Sequence, residues 1–255
     1  MSTNNTHLRM FDLNDRVALV TGAGQGMGLG VVRALAGQGA RVAVNDLYAE
    51  RAEHAVAKLV AEGFDVMAVP GDITRSEIRE EIVFKVRQRY GDIDILVNNA
   101  GVPPGMPESL RHFSELEDKD FEIQLDLNLR AVLGLTRLVV RGMGERGFGR
   151  IVIISSESWR VGLSFGLTNY AAAKSASLGF MRHLAHEVGR KGITANAVSL
   201  GTMNNFGYDE QAKSTAVGRA GTPEDVGALV TYLASSEAAW MTGQVLPLNG
   251  GAITA

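Results

Sequence analysis

The segment Arg16–Gly28, RVALVTGAGQGMG, joins a short apolar run to four closely spaced glycines. The β-branched run Arg16–Thr21 predicts a strand, and a helix-period pattern starts at Gly26. Glycines at a strand–helix turn let the backbone approach a pyrophosphate, whose negative charge the helix N-terminus then faces. A tight turn without a ligand is the alternative. The position of the glycines at the first such turn favours a dinucleotide site.

The same alternation of strand and helix continues along the chain. Seven strands are predicted, at Arg16–Thr21, Arg41–Asn45, Asp65–Val69, Asp94–Asn98, Arg150–Ser155, Ile193–Val198 and Gln244–Leu248. Six helices are predicted, at Gly26–Gln38, Ala49–Glu62, Ser76–Tyr90, Asp118–Arg146, Asn169–Gly189 and Thr222–Leu233. The strands are apolar without clear alternation, as in parallel sheets covered on both faces. The pattern predicts an α/β fold: a single-domain, doubly wound, Rossmann-like parallel sheet of about seven strands, with helices on both faces.

No linker or change of composition divides the chain. Residues 1–11 are interpreted as a polar N-terminal tail, and residues 12–255 as one dinucleotide-binding catalytic domain. Within that domain, residues 200–219 are expected to form a short lid over the substrate.

Composition excludes several classes of function. The chain has 255 residues, a net charge of −3 and no cysteine, so disulfides, thiolate nucleophiles and cysteine metal sites are excluded. The charge balance gives no reason to expect nucleic acid or an anionic membrane as a partner. No run of about 18 apolar residues is present, and a cytoplasmic protein is expected. His183 and His186 lie three residues apart on a predicted helix, but packed or solvated histidines are commoner there, so no metal site is expected.

Asp46 ends the second predicted strand. A carboxylate there can accept hydrogen bonds from both adenosine ribose hydroxyls and would repel a 2′-phosphate. Neither Gln25 nor Leu47 supplies a cation for that phosphate, so NAD is predicted rather than NADP. An ordinary polar strand end is the alternative for Asp46. Asp72, after the third strand, would either bind the adenine amino group or cap the turn before the next helix.

Tyr170 and Lys174 stand four residues apart in the sequence YAAAK, on one face of a predicted helix. A free phenol has a pKa of about 10, too high for a base at neutral pH. A neighbouring ammonium and a positive nicotinamide ring would both favour phenolate and lower the pKa of Tyr170. A solvated surface pair is the alternative. The ends of two other predicted strands, Ser156 and Asn98–Gly101, are expected at the same carboxyl edge of the sheet, with Asn128 in the following helix.

In combination these motifs resemble the short-chain dehydrogenase/reductase family. The resemblance runs from about Asp12 to Ile253. It rests on TGAGQGMG at Thr21–Gly28, NNAG at Asn98–Gly101, Asn128, Ser156, YAAAK at Tyr170–Lys174 and RAGTPEDV at Arg219–Val226.

The resemblance implies a role for each matching residue. Tyr170 would be the general acid and base, Lys174 would bind the nicotinamide ribose, and Ser156 would bind the substrate oxygen. Asn128 would hold a water in the proton relay. The residues implied at the cofactor, besides Tyr170 and Lys174, are Gly22, Gln25, Gly26, Met27, Gly28, Asp46, Asp72, Ile73, Asn98, Ala100, Gly101 and Gly201. The family also implies a homotetramer, with the helices at Asp118–Arg146 and Asn169–Gly189 packed across an interface.

The chain departs from the family pattern at four places. The family usually places its serine one residue nearer the tyrosine, so Glu157 would align there; Ser156 is preferred because strand ends vary less than loops, with Ser158 a lesser candidate. Leu200-Gly201 replaces the usual Pro-Gly, and Asn205 replaces a threonine that often contacts the nicotinamide. Asn249 replaces an aspartate near the C-terminus. Glu157 would either contact a cationic or hydroxylated substrate, or be a solvent-facing or salt-bridged side chain.

The segments Val102–Met106 and Met203–Tyr208 and the loop around Trp159 are expected to surround the reacting carbon. Trp159, Met106, Phe206 and Tyr208 suggest an apolar pocket, unless Trp159 and Phe206 pack the lid or an interface. The predicted function is NAD-dependent hydride transfer to or from a largely apolar secondary alcohol or ketone, cyclic substrates included. The alternatives are a non-enzymic NAD-binding regulatory module, and a lyase or epimerase on the same fold.

Overall fold

Seven parallel strands form one twisted sheet. The computed structural model describes residues 10–106, 110–162, 166–204, 212–213 and 215–254. The strands are β1 Val17–Val20, β2 Arg41–Val44, β3 Val66–Ala68, β4 Ile95–Asn98, β5 Gly149–Ser156, β6 Ile193–Leu200 and β7 Val245–Leu248. Their order is β3-β2-β1-β4-β5-β6-β7. The predicted doubly wound, Rossmann-like sheet is therefore confirmed, and its strand order reverses between β1 and β4.

Helices cover both faces of this sheet. They are α1 Gly26–Gly37, α2 Ala49–Ala61, α3 Ser76–Tyr90, α4 Asp118–Leu125, α5 Ala131–Arg146, α6 Thr168–Val188 and α7 Pro223–Ala234. Alternate strand residues point to opposite faces, so β5 sends Ile153 into the core under α3, α5 and α6. It sends Ile154 into the core under α1, α2 and α7.

The helix predicted over Asp118–Arg146 is interrupted, which corrects the sequence interpretation. Between α4 and α5 the segment Asp126–Arg130 forms a π-helical turn, and Asn128 lies buried within it. Asn128 Nδ2 donates to the carbonyl of Gly101 at 3.1 Å and to Gln124 Oε1 at 2.9 Å. Such single π turns occur frequently at functional sites. The interruption thus fixes Asn128 against the loop that follows β4.

Small residues bring α1 and α7 close together. A Cβ atom built on Gly30 would lie 2.3 Å from Pro223 Cβ, so only glycine fits in α1 at that point. A capping box begins α7, because Thr222 Oγ1 accepts from Asp225 N at 3.4 Å and Asp225 Oδ2 accepts from Thr222 N at 2.9 Å. This contact joins the N-terminal strands to the C-terminal ones across the sheet.

The predicted tail and lid lie partly outside the described residues, which omit 1–9, 205–211 and 214. In the described part of the lid, Met203 pairs with Gly221 in a parallel bridge. No helix among the described residues has both the length and the apolarity to cross a membrane.

Candidate active site

A crevice of about 810 Å³ opens at the carboxyl ends of the strands, where the strand order reverses. The predicted site residues on its wall are Gly22, Gln25, Gly26, Met27, Gly28, Asp46, Asp72, Ile73, Ala100, Gly101, Ser156, Tyr170, Lys174 and Gly201. Asn98 and Asn128 are not on the wall; both lie buried behind it. Residues predicted from seven separate segments therefore meet in one cavity.

The glycine-rich turn forms a tight cradle at one end of the crevice. Gly22 has a φ of +60°, and a Cβ there would lie 2.8 Å from Ala100 Cα. A Cβ on Gly28 would lie 2.6 Å from Asn99 Nδ2. Asn99 Nδ2 donates to the carbonyls of Thr21 and Gly22, each at 2.9 Å. The NNAG turn thus braces the cradle. Bare backbone at the start of α1 fits a dinucleotide pyrophosphate.

Asp46 lies at the end of β2 beside this cradle. It is only 5% exposed, and its two oxygens accept from Gly24 N and Tyr48 N, each at 3.1 Å. These backbone donors fix the carboxylate on the crevice wall and leave lone pairs for further donors such as ribose hydroxyls.

Arg51 lines the same part of the crevice, which sequence reasoning missed. Its guanidinium stacks over the Tyr48 ring, 4.3 Å from the centroid. From the sequence alone, a cation that could bind the 2′-phosphate is expected only next to Asp46 or in the glycine turn. Arg51 reaches the wall because the first turn of α2 folds back toward Gly24. A cation therefore stands near Asp46 after all.

The turn after β3 is held by two side chains. Asp72 Oδ1 accepts from Thr74 N at 2.9 Å and from Thr74 Oγ1 at 2.7 Å, so Asp72 does cap this turn while also lining the crevice. Arg79 Nη1, from α3, donates to the carbonyls of Ile73 at 2.7 Å and Thr74 at 2.9 Å. No sequence motif pointed to Arg79, because its role depends on how α3 folds back beneath the turn.

Tyr170, Lys174 and Ser156 meet at the other end of the crevice. Tyr170 and Lys174 lie one turn apart on α6, with Lys174 Nζ 5.7 Å from the centroid of the tyrosine ring. Lys174 Nζ donates to the carbonyl of Ile154 at 2.8 Å. Ser156 ends β5, its Oγ accepts from Ser158 N at 3.3 Å, and its hydroxyl forms a hydrogen bond with Tyr170. The serine hydroxyl is thereby oriented toward the phenol.

Burial shifts the pKa values of both ionisable groups here. It raises the pKa of Tyr170 to about 12, although the hydrogen bond with Ser156 acts in the opposite direction. It lowers the pKa of Lys174 to about 8. The sequence predicts that the ammonium lowers the pKa of Tyr170. In the structure desolvation outweighs that effect, and Lys174 Nζ donates to the Ile154 carbonyl. At neutral pH the site holds a neutral phenol and a charged ammonium.

Unsatisfied polar atoms lie just behind this group. Neither amide atom of Asn98 nor Asn128 Oδ1 has a hydrogen-bond partner among the residues that the structure describes. A Cβ on Gly101 would lie 2.4 Å from Lys174 Nζ and 2.8 Å from Asn128 Oδ1. The amide oxygen and the ammonium therefore converge on one narrow space, which offers a donor and an acceptor to a small polar group.

Glu157 turns away from the crevice. It is buried, and its Oε2 forms a salt bridge with Arg160 Nη2 at 2.7 Å. Of the two interpretations for this residue, the structure supports the salt bridge. Ser156, which lines the crevice, is the residue of this turn that faces Tyr170.

The apolar residues near Tyr170 differ from those predicted. Trp159 packs on the core and its Nε1 donates to Ser199 Oγ at 3.1 Å, so it does not face the substrate. Met106 is buried off the crevice wall, and Asn205, Phe206 and Tyr208 lie outside the described residues. The apolar wall near Tyr170 is formed by Val102, Pro103, Pro104, Leu200 and Met203.

Comparisons with known proteins agree with this geometry. The family model described as "short chain dehydrogenase" matches residues 16–214. The chain is 35% identical to an acetoacetyl-CoA reductase of Allochromatium vinosum over 92% of its own length and 98% of that protein. It is also 35% identical to a 3-oxoacyl-[acyl-carrier-protein] reductase of Escherichia coli, over 92% and 96% of the two chains. The crystal structure of a putative gluconate dehydrogenase from Agrobacterium tumefaciens superposes with a TM-score of 0.88 at 30% identity, covering 96% of this chain and 98% of that one.

Proposed function

This chain belongs to the short-chain dehydrogenase family, and from that membership we propose that it transfers hydride between NAD and a secondary alcohol or ketone. The family is one of oxidoreductases that use nicotinamide cofactors. The proposal adds the identity of the cofactor and the class of substrate. The observation that carries it is the meeting of Tyr170, Ser156 and Lys174 in one crevice with the glycine cradle.

The three side chains have separate tasks. When bound, the nicotinamide donates or accepts the hydride. Ser156 donates a hydrogen bond to the substrate oxygen and holds it beside Tyr170. Tyr170 gives its proton to that oxygen during reduction and takes it back during oxidation. Lys174 supplies a positive charge that stabilises the phenolate left after proton donation. Asn128 and Lys174 would hold a water between them for reprotonation.

Asp46 supports the preference for NAD. Its carboxylate is fixed on the crevice wall beside the glycine cradle, and it would repel the 2′-phosphate of an adenosine ribose bound there. Arg51 is held over Tyr48 beside it. We assign the preference to Asp46 because its oxygens are fixed by backbone donors, whereas the guanidinium ends a flexible side chain.

The substrate is proposed to be largely apolar. Val102, Pro103, Leu200 and Met203 line the crevice close to Tyr170 and suit a hydrocarbon frame, cyclic ketones included. A second candidate is a 3-oxoacyl thioester, since two relatives are named as reductases of such compounds. Both candidate substrates place a ketone beside the phenol of Tyr170, and they differ only in the groups attached to that ketone.

The test measures oxidation of NADH and of NADPH with cyclic ketones and with acetoacetyl-CoA. We expect turnover with NADH, and replacing Tyr170 with Phe should lower it at least about a hundredfold because only the proton donor is lost. NADH binding, followed by fluorescence, should be unchanged. The matched control is Tyr232→Phe, whose ring packs on Phe11 away from the crevice. Full activity of Tyr170→Phe would refute the mechanism, and activity on thioesters alone would replace the apolar ketone as substrate.

We also propose the homotetramer that the family resemblance implies. Leu133 on α5 is 38% exposed, so this predicted interface carries an uncovered apolar side chain. The mass from light scattering would establish the number of subunits.

A further inference from the structure

Glu157 follows Ser156 directly and carries a buried carboxylate that the proposed mechanism does not use. Its Oε2 accepts from Arg160 Nε at 2.9 Å and Nη2 at 2.7 Å, and from Asn249 Nδ2 at 3.0 Å. Its Oε1 is buried without a hydrogen-bond partner in the described part of the chain. The charge therefore depends on the groups around Oε2, and losing one of them leaves a carboxylate poorly compensated.

Asn249 follows β7 and is oriented by three hydrogen bonds. Its Nδ2 donates to Glu157 Oε2 and to the carbonyl of Ile253 at 3.1 Å, while its Oδ1 accepts from Gly251 N at 2.9 Å. Two acceptors face the amide nitrogen and one donor faces the amide oxygen. An aspartate here would turn an oxygen toward two acceptors, one of them charged. Glu157 thus explains why this position holds an amide.

The contacts continue from Asn249 to the lid. Val217 N donates to the carbonyl of Gly250 at 3.0 Å, and a Cβ on Gly251 would lie 2.8 Å from Ala216 Cβ. On the other side, a Cβ on Gly201 would lie 2.7 Å from Asn249 Cα. The segment after β7 is therefore packed between the turn that holds Ser156 and the base of the lid.

We propose that Glu157 is a positioning residue, which with Asn249 fixes the turn carrying Ser156 to the C-terminal segment and so to the base of the lid. The two departures from the family pattern, Glu157 and Asn249, form a single matched pair. This role rests on the proposed function of Ser156 in binding the substrate oxygen.

The test replaces the amide of Asn249 by a carboxylate, first alone and then together with replacement of the Glu157 carboxylate by an amide. In Asn249→Asp, two carboxylates face each other, so one must hold a proton and the pair titrates at a raised pKa. Because protonation relieves the repulsion, the variant should be near wild type at pH 5.5 and lose activity as pH rises. We expect about a tenfold lower kcat at pH 8, with the KM for NADH within about twofold of wild type. The double variant Glu157→Gln/Asn249→Asp again has one carboxylate and one amide, and should recover most of the activity at pH 8.

Two further variants separate positioning from general damage. In a Ser156→Ala background, Asn249→Asp should lower kcat little further, because the hydroxyl that it misplaces is already gone. The control is Asn14→Asp, which also sets a carboxylate against a neighbouring acid, since Asn14 Nδ2 donates to Asp12 Oδ1 at 2.7 Å. That pair is exposed and lies at the opposite edge of the sheet, so kcat should not change.

Each outcome bears on one proposal. If kcat losses from Ser156→Ala and Asn249→Asp multiply, or if the double variant is no better than Asn249→Asp at pH 8, Glu157 does not position Ser156. If the wild-type protein has no oxidoreductase activity, the proposed function fails instead. The pairing of Glu157 with Asn249 would still show in melting temperatures that fall with rising pH for Asn249→Asp and recover in the double variant.

Discussion

At the scale of single residues, the proposed mechanism makes the rates of reduction and oxidation depend on the protons of Tyr170 and Lys174. Burial raises the pKa of Tyr170 to about 12, so the phenol keeps its proton through neutral pH and is ready to donate it. Burial lowers the pKa of Lys174 to about 8, so its charge is lost above that pH. Ketone reduction should therefore be constant through neutral pH and fall above about 8. Alcohol oxidation needs the proton-free oxygen and should rise with pH.

Initial rates in both directions between pH 6 and 10 would check this (a range of about two units either side of the pKa of Lys174). Buffers of constant ionic strength and saturating cofactor remove changes in binding. A reduction rate that rises with pH would contradict the assignment, since it would require a donor that works better without its proton.

Individual residues also show which parts of the site can be predicted from the sequence and which cannot. Asp46, Tyr170 and Lys174 could be placed in one crevice because each follows a parallel strand or opens the next helix, and all such ends meet at one edge. Arg51, Arg79 and the partner of Glu157 could not be identified. Arg51 and Arg79 contact residues only three to six positions away, but no motif marks those contacts, and the bond from Asn249 to Glu157 joins segments 92 residues apart.

At the scale of elements, the close packing of α1 on α7 predicts unequal effects of alanine at two glycines of one helix. In Gly30→Ala the new Cβ would lie 2.3 Å from Pro223 Cβ and 2.6 Å from its carbonyl oxygen, which are too close to relax cheaply. We expect a loss of about 1–3 kcal/mol in the free energy of unfolding. Denaturant titration of purified variants measures it.

Gly37→Ala is the control on the same helix. A Cβ on Gly37 would have no other described atom within 4 Å, so unfolding should be unchanged or made harder by less than about 1 kcal/mol. Equal losses for the two variants would show that alanine acts through the helix itself and not through the contact with α7.

Elements were predicted unequally well. Every strand was identified with its ends within two residues. In the central strands, burial on both faces produces a continuous apolar run, and the edge strands β3 and β7, although less buried, are apolar as well. The π turn at Asp126–Arg130 was missed, since its residues fit the same helical period as their neighbours. The π turn is distinguished by the hydrogen bond that Asn128 Nδ2 donates to the carbonyl of Gly101, which lies in a loop that precedes the helix.

At the scale of the whole molecule, cofactor binding should stabilise the fold and report the preference for NADH. A ligand at a hundred times its dissociation constant adds about 2.7 kcal/mol, which for a chain of this size raises the melting temperature by roughly 5–10 °C. NADH should give this shift, and NADPH at equal concentration a smaller one. In Asp46→Ser the two shifts should become similar, because the repelling carboxylate is gone.

Arg51 provides the control for this measurement. If its guanidinium binds the 2′-phosphate once Asp46 is replaced, the gain with NADPH should disappear in Asp46→Ser/Arg51→Met. A wild-type protein stabilised more by NADPH than by NADH would show that Asp46 does not set the preference.

Because the strand order reverses between β1 and β4, the two ends of the crevice are built by different halves of the sheet. In the proposed function, nucleotide recognition comes from the half that contains β1 to β3, and proton chemistry from the half that contains β5 and α6. A chimera could therefore inherit its first three strands from a family member of opposite cofactor preference and still select the same substrates. The junction that needs care lies in α1, two residues after Gly28 of the glycine cradle: the donor helix must have glycine at position 30, where Pro223 packs against it.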